Sequence, residues 1–138
     1  MKRINEKIDE ITELIEQFRS IVPSNLDEYK SNLEKRAACE RYFEKIVEAV
    51  VDLAFLFIKF KKLKIPQDDA DAFNILLDNK IIDNNLSVRL KDAKGMRNII
   101  AHEYGKIDDE IVFEAITKEL EKDVRDFIKN IKGKYSKN

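Results

Sequence analysis

The chain has no tryptophan, one cysteine, one histidine, two prolines and three glycines in 138 residues. So little glycine and proline leaves scant material for tight hairpins or a many-turned β-fold, and helices are favoured. The single cysteine, Cys39, excludes an intramolecular disulfide and suits a reducing compartment. Its neighbours Ala37, Ala38 and Tyr42 mark it as a packing thiol. One histidine and no cysteine pair cannot build a zinc site, so no metal is expected. No Gly-x-Ser-x-Gly elbow argues for a serine nucleophile, and neither phosphate-cradling glycine loop is present. The N-terminus "MKRINEKIDEITELI" lacks the apolar core of a signal peptide. The most apolar run, "AVVDLAFLFIKF", is interrupted by Asp52 and Lys59 and is too short to cross a bilayer. The expectation is a cytoplasmic protein without membrane contact. A formal charge of −1 argues against a surface that binds polyanions everywhere, so any nucleic-acid contact needs a local patch.

What the chain does have is 43% hydrophobic and 38% charged residues, enough for a single core with a heavily charged surface. Periodicity predicts one helical domain, residues 1–138, built as an antiparallel bundle of about five helices. Ile4, Ile8, Ile11, Leu14, Ile15 and Phe18 form the stripe of the first, closed by Pro23 and Ser24. The second is predicted from about Leu26 to about Lys62. It begins with a stripe of Tyr29, Leu33 and Ala37, then becomes apolar on nearly all sides between Phe43 and Phe60. A helix apolar all round must be covered all round, which suggests a partner subunit in so small a domain. A short helix follows from about Asp69 to Asp78, with Phe73, Leu76 and Leu77 inward, and "DNKIIDNN" reads as a connector. The fourth helix runs from about Leu86 to His102 or Tyr104, with Leu86, Leu90, Ala93, Met96, Ile99 and Ile100 inward and Gly105 as C-cap. In the fifth, Asp108 serves as N-cap, Ile107 and Val112 staple the entry, and the stripe runs Ile111, Ala115, Ile116, Leu120, Val124, Phe127, Ile128, Ile131. "GKYSKN" reads as a frayed basic tail.

The end of the fourth helix, "RNIIAHEY", concentrates unusual chemistry. It holds Arg97, Asn98, the only histidine His102, and Tyr104. Arg97 and Tyr104, seven residues apart, point nearly the same way, whereas Arg97 and His102, five apart, are separated by about 140° on a regular helix. They converge only if the last turn distorts or a second chain shares the site. Gly95 costs about 1 kcal/mol relative to alanine in mid-helix, a cost that makes sense if a backbone or ligand approaches closely. From Leu86 to Lys106 there are five basic residues (Arg89, Lys91, Lys94, Arg97, Lys106) against two acidic ones (Asp92, Glu103). That patch suits an anionic ligand such as an RNA phosphodiester, with Arg89, Lys94 and Lys106 as candidate contacts. Basic residues late in a helix also complement its dipole, and charge alone does not separate the two readings. The acidic Asp68, Asp69 and Asp71 read most simply as a charged helix N-terminus.

These residues carry a resemblance. R-N-x-x-x-H-x-Y near the end of the fourth helix of a small all-α protein resembles the signature of the HEPN superfamily. In particular it resembles the HepT-like toxins encoded beside minimal nucleotidyltransferase (MNT) antitoxins. The motif spans eight residues, while chain length, helix order and the aromatic-rich second helix agree over most of the chain. The resemblance implies a type VII-like toxin–antitoxin component: a homodimer whose two motifs face one cleft and cut RNA without metal or cofactor. It carries Arg97 and His102 over as catalytic and Asn98 as an orienting residue. Tyr104 carries over as part of the site and as the hydroxyl that the partner nucleotidyltransferase modifies with AMP. This chain has no nucleotidyltransferase motif, so that antitoxin would act in trans. The rival expectation is a non-catalytic helical binding module, or an accessory subunit of a nucleotidyltransferase, in which His102 is dispensable.

Overall fold

The computed structural model describes residues 1–102 and 108–135, and among them every regular element is helical. In chain order these are α1 (Lys2–Ile21), α2 (Leu26–Ser31), α3 (Leu33–Phe60), α4 (Asp69–Asp78), α5 (Asn84–His102), α6 (Asp109–Glu114), a π-helical turn (Ala115–Glu119) and α7 (Leu120–Tyr135). Side-chain contacts fix their directions. Lys7 pairs with Asp52 at 3.5 Å while the Tyr42 hydroxyl donates to Gln17 at 3.1 Å, so α1 runs antiparallel to α3. Lys91 donates to Asn74 at 2.7 Å and Lys94 pairs with Asp69 at 3.4 Å, so α5 runs antiparallel to α4. Arg36 pairs with Asp109, and Phe60 packs on Tyr135 with ring centroids 5.5 Å apart, so the last helical stretch runs parallel to α3.

Helix α3 is the axis of the molecule. Phe43, Ile46, Val47, Ala49, Val50, Val51, Leu53, Ala54, Phe57 and Ile58 are all buried. The expectation that a second subunit must cover this helix is not met: the helices of one chain enclose it, leaving only Phe55, Leu56 and Phe60 half-buried. The core around it is completed by Phe73 and Phe127, whose rings meet edge-on at 6.1 Å. Cys39 is fully buried, and burial pushes its thiol up to about 11. At the surface, Arg19 of α1 forks onto Glu121 of α7, which Arg125 also holds at 2.9 Å. These hydrogen bonds hold the Glu121 carboxyl down to about 2.

Three sequence expectations are corrected. The predicted second helix is two helices. Asn32 sits in extended backbone, where its N–H closes α2 onto the Glu28 carbonyl and its side chain accepts from the Lys35 N–H at 3.1 Å. The break turns Tyr29 into the core against Phe113 and leaves Leu33 (73% exposed) and Ala37 outside, so these three share no stripe. The predicted fifth helix contains the π turn. Val112, Ile116, Leu120 and Val124 are spaced by fours, and on an ideal α-helix each such step drifts about 40°. The wider turn absorbs that drift and keeps the row buried, while Ile111, expected inward, is 58% exposed. Finally, the tail is ordered through Tyr135, whose hydroxyl donates to the Met1 carbonyl at 3.3 Å.

Other local expectations hold. Asp68 caps α4 by accepting from the Asp71 N–H, and Asp71 accepts from the Gln67 N–H, so the acidic cluster is built into a helix start. Asp108 caps α6. The "DNKIIDNN" connector is more than a link, because Ile81 and Ile82 are buried and Asp83 caps α5 through the Leu86 N–H. Three expectations fall on residues 103–107 and so lie outside the described residues: Gly105 as C-cap, Ile107 as staple and Tyr104 on the face of Arg97. Asn32→Ala removes the hinge cap between α2 and α3. It is expected to lower stability by about 1 kcal/mol in urea unfolding, with Asn32→Asp losing less.

Candidate active site

Helix α5 owes its position to Leu86, Leu90 and Ile100, which are buried, with Ala93 and Met96 half-buried beside them. Arg97 lies one turn beyond Ala93 and faces α3. Its Nη2 donates to the Glu48 carboxylate and its Nη1 to Asn98 Oδ1 at 3.2 Å. Asn98 Oδ1 also accepts from Lys94 Nζ at 2.8 Å, and Lys94 in turn pairs with Asp69. Glu48, Arg97, Asn98, Lys94 and Asp69 thus form one polar string from α3 through α5 to the start of α4. Four of them, Glu48, Arg97, Lys94 and Asp69, line a polar cleft of about 140 Å³, together with Val47, Val51 and Asp52. That is room for several waters beside the guanidinium. Arg97 Nε is buried and meets no protein acceptor among the described residues. The ion pair with Glu48 offsets the cost of desolvating that donor.

The predicted RNA contacts fare differently. Lys94 is 18% exposed and spends its charge on Asp69 and Asn98. Arg89 donates from Nε to Asp123 at 2.8 Å, and Asp123 is nearly buried on α7. Both are bundle cross-links. Lys106 and Tyr104 lie outside the described residues.

His102 is the last described residue of α5 and is exposed. Because α5 is helical through this residue, the five-residue step from Arg97 puts the two side chains on different faces, about 140° apart. The structure therefore brings Arg97 and Asn98 together and holds His102 apart from them. Ile99, expected inward, is 41% exposed. It belongs to an outer row, Val88, Asp92, Gly95, Ile99 and His102, all exposed and spaced 4-3-4-3. At Gly95 an added Cβ would meet nothing within 4 Å among the described residues, so none of these demands glycine there.

Sequence reasoning missed Glu48. Its signal was available: with Glu44 and Asp52 it is one of three carboxylates between Phe43 and Phe60, and it is flanked directly by Val47 and Ala49. A charge so placed needs a cation from another helix, and Asp52 has Lys7 while Glu48 has Arg97.

Comparison with known proteins decides the family. The HepT-like ribonuclease family matches residues 8–131. The chain belongs to that family. Among HepT-like proteins it is 29% identical over 130 residues to the mRNA nuclease HepT of Shewanella oneidensis, covering 94% of this chain and 96% of that one. It is 26% identical over 114 residues to the tRNA nuclease HepT of Aphanizomenon flos-aquae, covering 83% and 78%. The fold matches the tri-AMPylated Shewanella oneidensis HEPN toxin, solved in complex with an MNT antitoxin, with a TM-score of 0.87, 29% identity and coverage of 94% and 96%. A Bacillus subtilis cytosolic protein, YutE, shares the fold alone, with a TM-score of 0.78 at 18% identity.

The Arg97–Glu48 pair is partly exposed on both sides, 22% and 44%, so solvent screens it. A double-mutant cycle of Arg97→Ala and Glu48→Ala is expected to give a coupling of about 1 kcal/mol in urea unfolding. Additive losses would mean that the pair does not hold α5 to α3.

Proposed function

We propose that this chain is the ribonuclease toxin of a HEPN/MNT toxin–antitoxin pair. The observation that carries this reading is the family match over residues 8–131 in a chain that keeps Arg97, Asn98, His102 and Tyr104 in the R-N-x-x-x-H-x-Y spacing. The names of the relatives, two HepT nucleases and a toxin solved with its antitoxin, support the activity and the partner. The reading makes Arg97 and His102 the catalytic residues of a homodimer, with Asn98 orienting Arg97.

The geometry of α5 supports a site shared between two chains. Arg97 and His102 face apart on one helix, and the exposed row ending in His102 has the 3.5-residue repeat that packs against a neighbouring helix. Gly95 lies in the middle of that row, where a missing Cβ lets another backbone come close. In such a dimer, Arg97 holds the scissile phosphate and offsets charge on the pentacoordinate transition state. One imidazole takes the proton of the ribose 2′-hydroxyl as that oxygen attacks phosphorus. The other gives a proton to the departing 5′-oxygen. This acid–base chemistry needs no metal and leaves a cyclic or 3′-phosphate.

Tyr104 supplies the off-switch. An AMP on its hydroxyl adds negative charge close to His102 in the chain and fills space that a substrate phosphate requires.

Purified chain is expected to cut RNA with chelator present, and His102→Ala to lose activity by a factor of about 100 or more. A mixed dimer carrying one His102→Ala chain is expected to lose most activity, and full activity there would refute the division of acid and base roles. Products ending in a 3′-hydroxyl would point to water as the attacking group.

With ATP and an MNT-type nucleotidyltransferase, intact-mass measurement is expected to show AMP added to the wild-type chain and none to Tyr104→Phe. Equal addition to both would remove Tyr104 as the acceptor.

A further inference from the structure

The cations that sequence placed in the RNA interface are consumed by the bundle, Arg89 by Asp123 and Lys94 by Asp69. Another group of cations lies elsewhere. At the far end of α3 the sequence reads Lys59-Phe60-Lys61-Lys62-Leu63-Lys64-Ile65. The start of α1 and the end of α7 converge on the same place. Tyr135 reaches the Met1 carbonyl, Lys61 donates to the Lys134 carbonyl at 3.2 Å, and Phe60 stacks on Tyr135. Lys2, Arg3, Lys59, Lys61, Lys62, Lys64, Lys132 and Lys134 thus share one pole of a chain whose net charge is −1. Among the described residues Arg3, Lys59, Lys62 and Lys64 form no ion pair.

Helix dipoles explain only part of this pole. Lysines at the ends of α3 and α7 complement negative helix ends. Lys2 and Arg3 do the opposite: they sit in the first turn of α1, which has no acidic residue and no side-chain cap. Cations at a helix N-terminus oppose its dipole, so their placement there is a cost that an anionic ligand would offset.

Beside the cations runs a groove whose floor is apolar, lined by Phe55, Leu56, Leu63, Ile65 and Pro66, with Arg3, Lys59 and Lys62 on its rim. Its lining includes no acidic residue, and Ile65 is 84% exposed. A phosphodiester strand offers the matching pair of features, a line of anions and flat apolar bases. Lys59 lies eleven residues beyond Glu48, about 16 Å along α3 at about 1.5 Å per residue. The acids between groove and cleft do not repel a strand, because Glu48, Asp52 and Asp69 are each paired with a cation.

We propose that the α3 C-terminal pole is an RNA-binding exosite, in which Arg3, Lys59, Lys62 and Lys64 hold the backbone of a single strand outside the cutting site. The proposal rests on the ribonuclease reading for its ligand, but binding tests it separately from cleavage. A combined variant, Arg3→Gln, Lys59→Gln, Lys62→Gly and Lys64→Gln, removes the four cations. Glycine is chosen at Lys62 because that residue has φ 56, a left-handed backbone that glycine adopts without strain. Circular dichroism and thermal melting check that the variant is folded.

Binding of a fluorescein-labelled oligouridylate of roughly 16 nucleotides is followed by anisotropy on the His102→Ala chain, with and without the four changes. The Kd is expected to rise at least about tenfold, and the slope of log affinity against log salt to become shallower by about 2 to 3, at about 0.7 per lost phosphate contact. Changing Lys30, Lys45 and Lys122 to glutamine instead is expected to leave Kd within about twofold. In the cleaving chain, the four changes raise KM for long RNA and leave kcat unchanged. If the chain cuts no RNA but the four changes still weaken binding, the nuclease reading fails and the exosite stands. Unchanged Kd and salt slope overturn the exosite whatever the cleavage assay reports. Retained RNA binding with lost binding to a polyglutamate peptide also overturns it, and assigns the pole to an acidic protein partner.

Discussion

Between Phe43 and Phe60, α3 carries apolar side chains around its whole circumference, and a helix of that kind has to be enclosed. Helices α1, α4, α5 and α7 are where they are because each covers part of it. Their own stripes are narrow, such as Ile4, Ile8, Ile11, Leu14, Ile15 and Phe18 on α1, so each helix has one buried face and one charged face. Enclosing α3 also drags polar groups into contact. Once α5 lies against α3 through Leu90 and Ile100, Arg97 must meet whatever α3 presents at that level, and α3 presents Glu48.

The same packing divides α5 into faces with different tasks. The inner face is tied down by apolar burial and by the Glu48–Arg97–Asn98–Lys94–Asp69 string, which spans three helices. A guanidinium restrained by Glu48 and Asn98 has little conformational freedom left to lose on meeting any further partner. The outer face, Val88 through His102, is exposed along its length. It keeps two exposed β-branched residues and an exposed glycine. An outward row with a 3.5-residue repeat on a helix whose inward face is already buried is the feature on which the proposed dimer rests.

How much of this could be read in advance depended on whether a residue's role is local. The stripes of α1 and α7, the caps at Asp68 and Asp108 and the buried thiol of Cys39 follow from neighbours in sequence, and periodicity finds them. Asn32 was legible in principle, since it is a strong N-cap residue, but the apolar pattern on both sides disguised the break. Ile99 was assigned inward because an apolar residue next to Ile100 invites it. Only the packed position of α5 shows that one of the two must point out. Arg89, Lys94 and Glu48 are different again. A charged side chain reads the same in sequence whether it faces solvent or spans two helices, and the partners here lie 34, 25 and 49 residues away. The residues of the motif, Arg97, Asn98 and His102, stand out in the sequence, and the split of Arg97 from His102 across two faces of α5 follows from helical geometry.

The near-zero net charge conceals an uneven distribution, and ion pairing is what makes it uneven. Around the cleft, Arg97, Lys94 and Lys7 are matched by Glu48, Asp69 and Asp52, so cations and anions cancel within a few ångströms. Lysines and arginines there cross-link helices and contribute little long-range field, since paired opposite charges are screened over a Debye length of about 10 Å. At the meeting point of α1, α3 and α7, by contrast, Arg3, Lys59, Lys62 and Lys64 form no ion pair among the described residues. This separation of charge from the motif on α5 is what the proposed exosite rests on. Counting basic residues along a helix identifies where charge is; only the partners of each residue identify where it remains available.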